Sequence, residues 1–315
     1  MKILVTGGAG FIGSALSKRL HDEGNEVVVL DNFNDYYDPQ LKRDRQRLFL
    51  DGIQVIEGDI MDEKLLDALF AEHAFETVCH FAGNAGVRYS IDAPGEHIDA
   101  NIKGTVNIYE AMKKHKVKHM VFASSSSVYG NDTQVPFVES AVADKPVSVY
   151  GASKRSCEMI AYTYYDLFGI HTTALRFFTV YGPWSRPDMA MLKFADLMTK
   201  GEPIDVYNNG DLRRDFTHVS DIVDGFVRSV KTPLGYEIIN LGRGESTELL
   251  AYIELLESSL GVTADKNMLP MQDGDVYETF ADTTKAKELL GFSASMPIAE
   301  GVETFTQWYK EYYSN

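Results

Sequence analysis

The first 31 residues constrain the fold more than any other stretch of the chain. Lys2–Thr6 is a short apolar run, followed by Gly7, Gly8, Ala9, Gly10, Phe11, Ile12 and Gly13 and then a helical pattern to about Glu23. Glycines at 7, 10 and 13 permit a tight turn, close approach of backbone to a diphosphate, and close helix–strand packing. A helix starting there presents free N–H groups and a positive dipole end to phosphates. The spacing differs by one residue from G-x-G-x-x-G and is a variant of that fingerprint. A second apolar run, residues 26–30, ends at Asp31, where a carboxylate can accept hydrogen bonds from ribose hydroxyls. The same carboxylate repels a 2′-phosphate, so strand, glycine turn, helix, strand and acid in this order point to NAD rather than NADP.

Beyond Asp31 the rhythm continues. Apolar runs at 53–56, 77–81, 120–123 and 170–176 alternate with helical patterns at 63–72, 96–114 and 150–168. Such alternation predicts right-handed β-α-β units: an α/β, Rossmann-type doubly wound parallel sheet. Strand ends in such a sheet share one edge, which collects Gly7, Asp31, Asp59, Ala82 and Ser125. The pattern breaks after Arg176, which predicts a smaller C-terminal α/β substrate lobe. The expected division is 1–176 plus about 218–241 for the first lobe and 177–217 plus 242–315 for the second. In the second lobe the reading is a helix over 188–200 capped by Asp188, a strand at 204–207, a turn at 208–211, and helices over 246–260, 284–290 and 298–312. Trp308, Tyr309, Tyr312 and Tyr313 are expected to pack. Helix 220–230 and strand 237–241 return to the first lobe. Helix 40–50 carries Lys42, Arg43, Arg45 and Arg47 and reads as solvated, its basic face exposed, with Lys42 within reach of the adenosine end. Asp62 suits the N-cap of helix 63–72 at least as well as Asp59 does.

A second constellation carries chemistry. Tyr150 and Lys154 are four apart at the head of a helical pattern, so phenol and ammonium share a face. A phenol near pKa 10 is a poor base at neutral pH, and a fixed cation favours the phenolate. The strand before it ends in Ser124, Ser125, Ser126 and Ser127, hydroxyls able to hold a substrate oxygen. Hydroxyl, phenol and ammonium together can move a proton off an alcohol. A capping role for the serine hydroxyls is the alternative.

Composition removes other classes. The net charge of −16 disfavours a nucleic-acid partner and makes single arginines informative about an anionic substrate. Cys79 and Cys157 fall in no metal-ligand spacing and are expected to be small buried residues, so no metal site and no disulfide framework is predicted. Met1 leads directly into the first strand, leaving no room for a signal peptide, and no run of about 18 apolar residues spans a membrane. The expected location is the cytoplasm.

The glycine turn, Asp31, Asp59-Ile60, His80-Phe81-Ala82-Gly83, Asn101 and the Ser–Tyr–Lys set resemble the extended short-chain dehydrogenases/reductases over essentially the whole chain. More narrowly, the strings from Asp31 to Asp38 and from Arg176 to Met189 are similar to UDP-glucuronate 4-epimerases. The resemblance implies NAD held by Gly7, Gly10, Phe11, Ile12, Gly13, Asp31, Asn32, Lys42, Asp59, Ile60, Phe81, Ala82, Asn101, Tyr150 and Lys154. It implies Ser125, Tyr150 and Lys154 as the catalytic set, and a UDP-sugar held at its diphosphate by Arg88 and Arg214. It further implies a sugar carboxylate held by Ser126, Ser127, Thr179 and Arg186, and a homodimer built on helices 96–114 and 150–168. Arg214 beside Asp215 can alternatively form a surface ion pair. Two departures stand out. Gln272-Asp273-Gly274-Asp275-Val276 lacks the phosphate-gripping arginine of many relatives, and Ser185 replaces a glycine beside Arg186, with an expected effect on loop mobility. The expected reaction is C4 epimerisation of UDP-glucuronate to UDP-galacturonate. UDP-glucose 4-epimerisation is the main alternative. Dehydratase and decarboxylase readings are disfavoured because Ser126 and Ser127 stand where those enzymes use carboxylates. A dinucleotide sensor is disfavoured by the intact Tyr–Lys pair.

Overall fold

Alternation along each strand sorts the interior into two layers. The computed structural model of the chain describes residues 1–271 and 276–313. Its first units run β1 (Lys2–Thr6), α1 (Phe11–Asp22), β2 (Glu26–Asp31), α2 (Pro39–Phe49), β3 (Gln54–Glu57), α3 (Glu63–His73) and β4 (Thr77–His80), followed later by β5 (His119–Ser125) and β6 (His171–Phe177). Ile3, Val5, Val27, Val29 and Val121 pack on one side with α1 and helix Val219–Lys231. Leu4, Val28, Leu30, Met120 and Phe122 pack on the other, against α3 and helices Gly104–His115 and Val149–Phe168. This is the period-two consequence of a pleated strand, and burial on both faces is what a helix-covered parallel sheet requires.

The seven-stranded sheet has the order Tyr236–Leu241, β6, β5, β4, β1, β2, β3, and every neighbouring pair is parallel. The chain winds one way from β1 to β3 and the other way from β4, so the loops leaving β1 and β4 diverge and open a crevice between them. At that point Gly7 has φ +68°, and a Cβ there would lie 2.7 Å from the Ala82 nitrogen. Only glycine accepts both the left-handed backbone and the approach.

Two local expectations change, and the cap of α3 is settled. Residues 96–114 do not form one helix: Tyr89–Asp92 and Pro94–His97 are short helical turns, Ile98–Lys103 is a π-helical turn, and a regular helix begins at Gly104. The π turn contains Asn101, whose carbonyl accepts from Thr105 Oγ1 at 2.5 Å and Cys157 Sγ at 3.2 Å. Helix α2 is solvated at Arg47 but not along its whole basic face. Arg45 is completely buried and Lys42 is 6% exposed, because both reach across to loops rather than to water. Asp62, not Asp59, caps α3, accepting from Lys64 N and Leu65 N.

Residues beyond β6 build a second packed unit. Thr179–Tyr181 pairs with Phe216–His218, Arg213–Arg214 with Thr247–Glu248 and Glu278–Thr279, and Ile204–Val206 with Lys266–Met268. Helices Ala190–Thr199, Leu249–Leu260 and Ile298–Tyr313 supply its core, in which Trp308 and Tyr309 pack as expected. Leu41 of α2 inserts into that same core, so α2 joins the two units. Helix Val219–Lys231 and strand Tyr236–Leu241 return to the main sheet, and helix Thr284–Leu290, expected in the second lobe, packs there too through Ala286 and Leu290.

Candidate active site

The diverging loops enclose a cleft of about 710 Å³. Gly7, Gly10, Phe11, Ile12, Gly13, Asp31, Asn32, Lys42, Asp59, Ile60, Phe81, Ala82, Tyr150, Lys154 and Arg186 all line it. Gly10 is the N-cap of α1 and no side chain occupies that helix end, so its backbone donors remain for an anion. A Cβ on Gly13 would collide with the Gly7 carbonyl, which keeps the turn tight. The buried Asp31 accepts from Ala9 N through Oδ2 and from Phe33 N through Oδ1, each at 2.9 Å. Its charge is thereby fixed at the strand end. Asn32 donates to Asp59 Oδ2 at 2.9 Å, and Asp59 Oδ1 accepts from Met61 N. Lys42 Nζ holds Asn34 through both its backbone and side-chain oxygens, at 2.9 and 2.7 Å. Burial pushes this lysine's pKa down, with Asp31 acting in the opposite sense.

At the other end of the cleft, Lys154 Nζ donates to the Ala123 carbonyl at 3.0 Å and lies 5.0 Å from the centre of the Phe122 ring. Asn101 is buried outside the lining. Its amide nitrogen donates to Ser153 Oγ and to Asn84 O, and its side-chain oxygen accepts from Asn84 N. Its carbonyl ends a directional chain: Ala82 N donates to Thr6 Oγ1, which meets His80 Nδ1 at 2.7 Å, and His80 Nε2 meets Thr105 Oγ1 at 3.0 Å. Thr105 spends its proton on Asn101, so His80 carries its own on Nε2. Burial pushes the His80 pKa down to about 3, so the ring is neutral at physiological pH.

The serine run divides. Ser124 lines the cleft, whereas Ser125, Ser126 and Ser127 lie beyond the lining. Ser125 Oγ accepts from Ser127 N and meets Ser127 Oγ, both at 3.2 Å, capping a short 3₁₀ turn over Ser126–Val128. Thr179, also outside the lining, is half-buried and donates its backbone N–H to Asp215 O. Arg88 is exposed with its guanidinium 4.9 Å from the Tyr207 ring, and Arg214 donates to the carbonyls of Arg213 and Tyr277. Neither arginine lines the cleft. Residues 272–275, the stretch lacking an arginine, lie outside the described residues.

Arg186 enters the cleft from the second unit. Its Nε and Nη2 meet Asp188 Oδ1 and Oδ2 at 2.9 and 3.1 Å, and Tyr36 donates to Asp188 Oδ2 at 3.1 Å. Asp188 therefore does not cap the following helix. That helix starts at Ala190 with Met189 as its N-cap and no side-chain cap. Burial works against charge on both members of the pair, and their mutual attraction overcomes it, holding Arg186 above and Asp188 below their ordinary ranges. Burial and Asp188 push the Tyr36 pKa up to about 12. Ser185, the residue in place of glycine, is completely buried.

A family model described as the NAD dependent epimerase/dehydratase family matches residues 3–242. The chain belongs to that family. A probable UDP-glucuronate 4-epimerase of Rhizobium meliloti (strain 1021) is 40% identical, covering 99% of this chain and 98% of its own. A solved UDP-glucuronic acid 4-epimerase from Bacillus cereus, in complex with UDP-glucuronic acid and NAD, has a TM-score of 0.92 at 34% identity over 99% of each chain. A UDP-glucose 4-epimerase from Thermotoga maritima, with UDP-glucose, has a TM-score of 0.91 at 31% identity over 99% of each chain. The NAD of this epimerase/dehydratase family fits the residues present: an uncapped helix end, a backbone approach that excludes a Cβ, and a fixed carboxylate at β2.

Behind the serines lies a charge cluster that sequence reasoning missed. Ser124 Oγ donates to Glu158 Oε1 at 2.7 Å, and Arg176 closes on both oxygens of Glu158 at 2.8 Å, with Arg155 at 3.0 Å. Glu158 and Arg176 are both buried. An arginine flanked by Leu175 and Phe177 in a buried strand was the available signal. Burial opposes the Arg176 charge, and the Glu158 carboxylate raises its pKa nonetheless. Removing one member strands the other in a low-dielectric interior. Glu158→Ala is expected to lower the unfolding free energy by about 3–5 kcal/mol in urea denaturation. A loss under about 1 kcal/mol, the range of exposed pairs, would show that the cluster does not support this wall of the cleft.

Proposed function

We propose that the chain interconverts UDP-glucuronate and UDP-galacturonate by epimerisation at C4, with NAD bound in the cleft. The observation that carries this reading is that Arg186 lines the same cleft as Tyr150 and Lys154. A cation thus faces the cavity in which an alcohol would lose its proton. The two solved epimerases above are nearly equal in fold similarity, so overall shape does not choose between an acidic and a neutral sugar. The site residues and the sequence relative named for UDP-glucuronate favour the acidic one.

Residues 1–176 with about 218–241 hold NAD, and 177–217 with 242–315 hold the nucleotide sugar. The α1 end from Gly10 to Gly13 takes the diphosphate of NAD, Asp31 and Asn32 the adenosine ribose, and Asp59 and Ile60 the adenine. Lys42 secures the loop over the adenosine end. Phe81 and Ala82 form the wall at the β4 end, Asn101 holds Lys154's surroundings through Ser153, and Lys154 donates to the nicotinamide ribose. NAD supplies an acceptor that takes a hydride from C4 and returns it. Tyr150 removes the C4 hydroxyl proton as the carbonyl forms and gives it back when the alcohol re-forms. Ser125 holds the reacting oxygen once its weak contact to Ser127 yields. Rotation of the keto sugar between the two events presents the opposite face. Arg88 and Arg214 neutralise the substrate's diphosphate, a role suited to guanidinium geometry.

The keto sugar of a uronate is a β-keto acid. It loses CO₂ when the carboxylate bond stands perpendicular to the carbonyl plane. Ser126, Ser127, Thr179 and Arg186 hold the carboxylate away from that alignment by fixed donors. The finer organisation proposed is a cytoplasmic homodimer. Met159, Tyr162 and Leu167 remain exposed along helix Val149–Phe168, an apolar face that a second copy would cover. Sedimentation at micromolar concentration is expected to give twice the chain mass, and a monomer alone would refute it.

Substrate choice is tested by incubating the protein with UDP-glucuronate or UDP-glucose and resolving products by chromatography. UDP-galacturonate is expected to form at least about 10²-fold more efficiently than UDP-galactose, because unpaired donors penalise the neutral sugar. Arg186→Ala should reduce the uronate reaction much more than any hexose reaction. Equal efficiency on both sugars, lowered alike by Arg186→Ala, would replace this reading with UDP-glucose 4-epimerase.

A further inference from the structure

Arg45 and Arg176 are the largest fully buried polar side chains in the described residues, and the reaction has no direct use for Arg45. Its Nε and Nη2 donate to the Trp184 carbonyl at 3.1 and 2.7 Å, Nη2 reaches the Ser185 carbonyl at 3.3 Å, and Nη1 donates to the Tyr37 hydroxyl at 2.7 Å. A guanidinium is a rigid planar fork, so two successive carbonyls held by it are fixed in direction as well as position. Those carbonyls belong to the two residues directly before Arg186. Trp184 has φ +64°, a left-handed backbone that a bulky residue adopts only when its surroundings impose it. Its ring is held by Phe49, Trp308 and Tyr312, with centroids at 5.6, 5.3 and 4.9 Å.

The far side of the turn ties back to the same segment. Asp188 orients the Arg186 guanidinium, and Tyr36, the neighbour of Tyr37, donates to Asp188. The turn is therefore gripped before Arg186 by Arg45, itself held by Tyr37, and after it by Tyr36. Helix α2 is itself anchored in the second unit by Leu41 and by Asp44, which accepts from the Tyr312 hydroxyl at 2.6 Å. We propose that Arg45 is a positioning residue for Arg186: it holds the Trp184–Ser185 turn so that the guanidinium meets a substrate carboxylate, and so sets selection of acidic over neutral nucleotide sugars. The inference rests on the carboxylate role proposed for Arg186.

The test measures dissociation constants of UDP-glucuronate and UDP-glucose on NAD-loaded protein in a Tyr150→Phe background, which prevents turnover. Arg45→Met is expected to reduce the preference for the uronate about tenfold or more, since a displacement of about 1 Å is costly in an oriented site. UDP-glucose binding should be little changed. Arg45→Lys retains the charge but offers a point donor instead of a fork, and is expected to fall between. It also serves where Arg45→Met does not fold. Added to Arg186→Ala, Arg45→Met should leave the remaining preference unchanged, because both act through one contact. A preference unaltered in both Arg45 variants, or equal weakening of both ligands, would overturn the inference, as would additive loss in the double variant. If Arg186→Ala itself leaves the preference intact, the carboxylate reading fails. If Arg186→Ala abolishes it and the Arg45 variants do not, only the positioning role fails.

Discussion

The divergence of the loops leaving β1 and β4 is the constraint on which the rest depends. Parallel strands wound in opposite directions leave a gap at their shared edge, and the backbone must cross it without filling it. Gly7, in the left-handed region and 2.7 Å by its hypothetical Cβ from Ala82 N, is where that requirement is met. From this point the helix end at Gly10, the acid at Asp31 and the Tyr150–Lys154 pair all face one cavity. Sheet topology thus gathers the glycine turn, the acid and the Tyr–Lys pair on one cavity before any specific contact is considered.

Buried charge then supplies orientation. Isolated burial of an ion costs several kcal/mol, so each such group needs a complete set of partners. Arg176 finds a bidentate carboxylate in Glu158 behind the serine strand. Arg45 instead satisfies its donors on carbonyls and a phenol, joining α2 to the turn before Arg186. Asp215 follows the same logic in the second unit. Burial pushes its pKa up while Thr217, Arg243 N, Gly244 N and Ala281 N donate to it. These groups do no chemistry themselves; they fix the elements that carry it.

The features legible in the sequence are those with short-range causes. Strand and helix periodicities, the glycine turn and the i, i+4 relation of Tyr150 and Lys154 depend on neighbours within a few residues. What escaped depends on distant partners. Arg45 reads as a surface cation because arginines are mostly exposed, and its acceptor at Trp184 is 139 residues away. Asp188 resembles a helix cap by position, yet Arg186 and Tyr36, the latter 152 residues away, claim its oxygens. The π turn around Asn101 answers to Thr105 and Cys157, packing that no helical pattern in residues 96–114 announces. The serine run was legible as a strand end, but not that Ser124 turns its hydroxyl to Glu158 while Ser125 caps the turn that follows β5.

The central claim is that the hydrogen on C4 leaves and returns within the cleft, while the proton on O4 passes through Tyr150. Turnover of UDP-glucuronate carrying deuterium at C4 of the sugar, followed by mass spectrometry of the product in ordinary water, tests this directly. The account predicts that UDP-galacturonate retains the deuterium through many turnovers. Washout of the label into solvent would contradict it, because it would mean that the C4 hydrogen departs as an exchangeable proton.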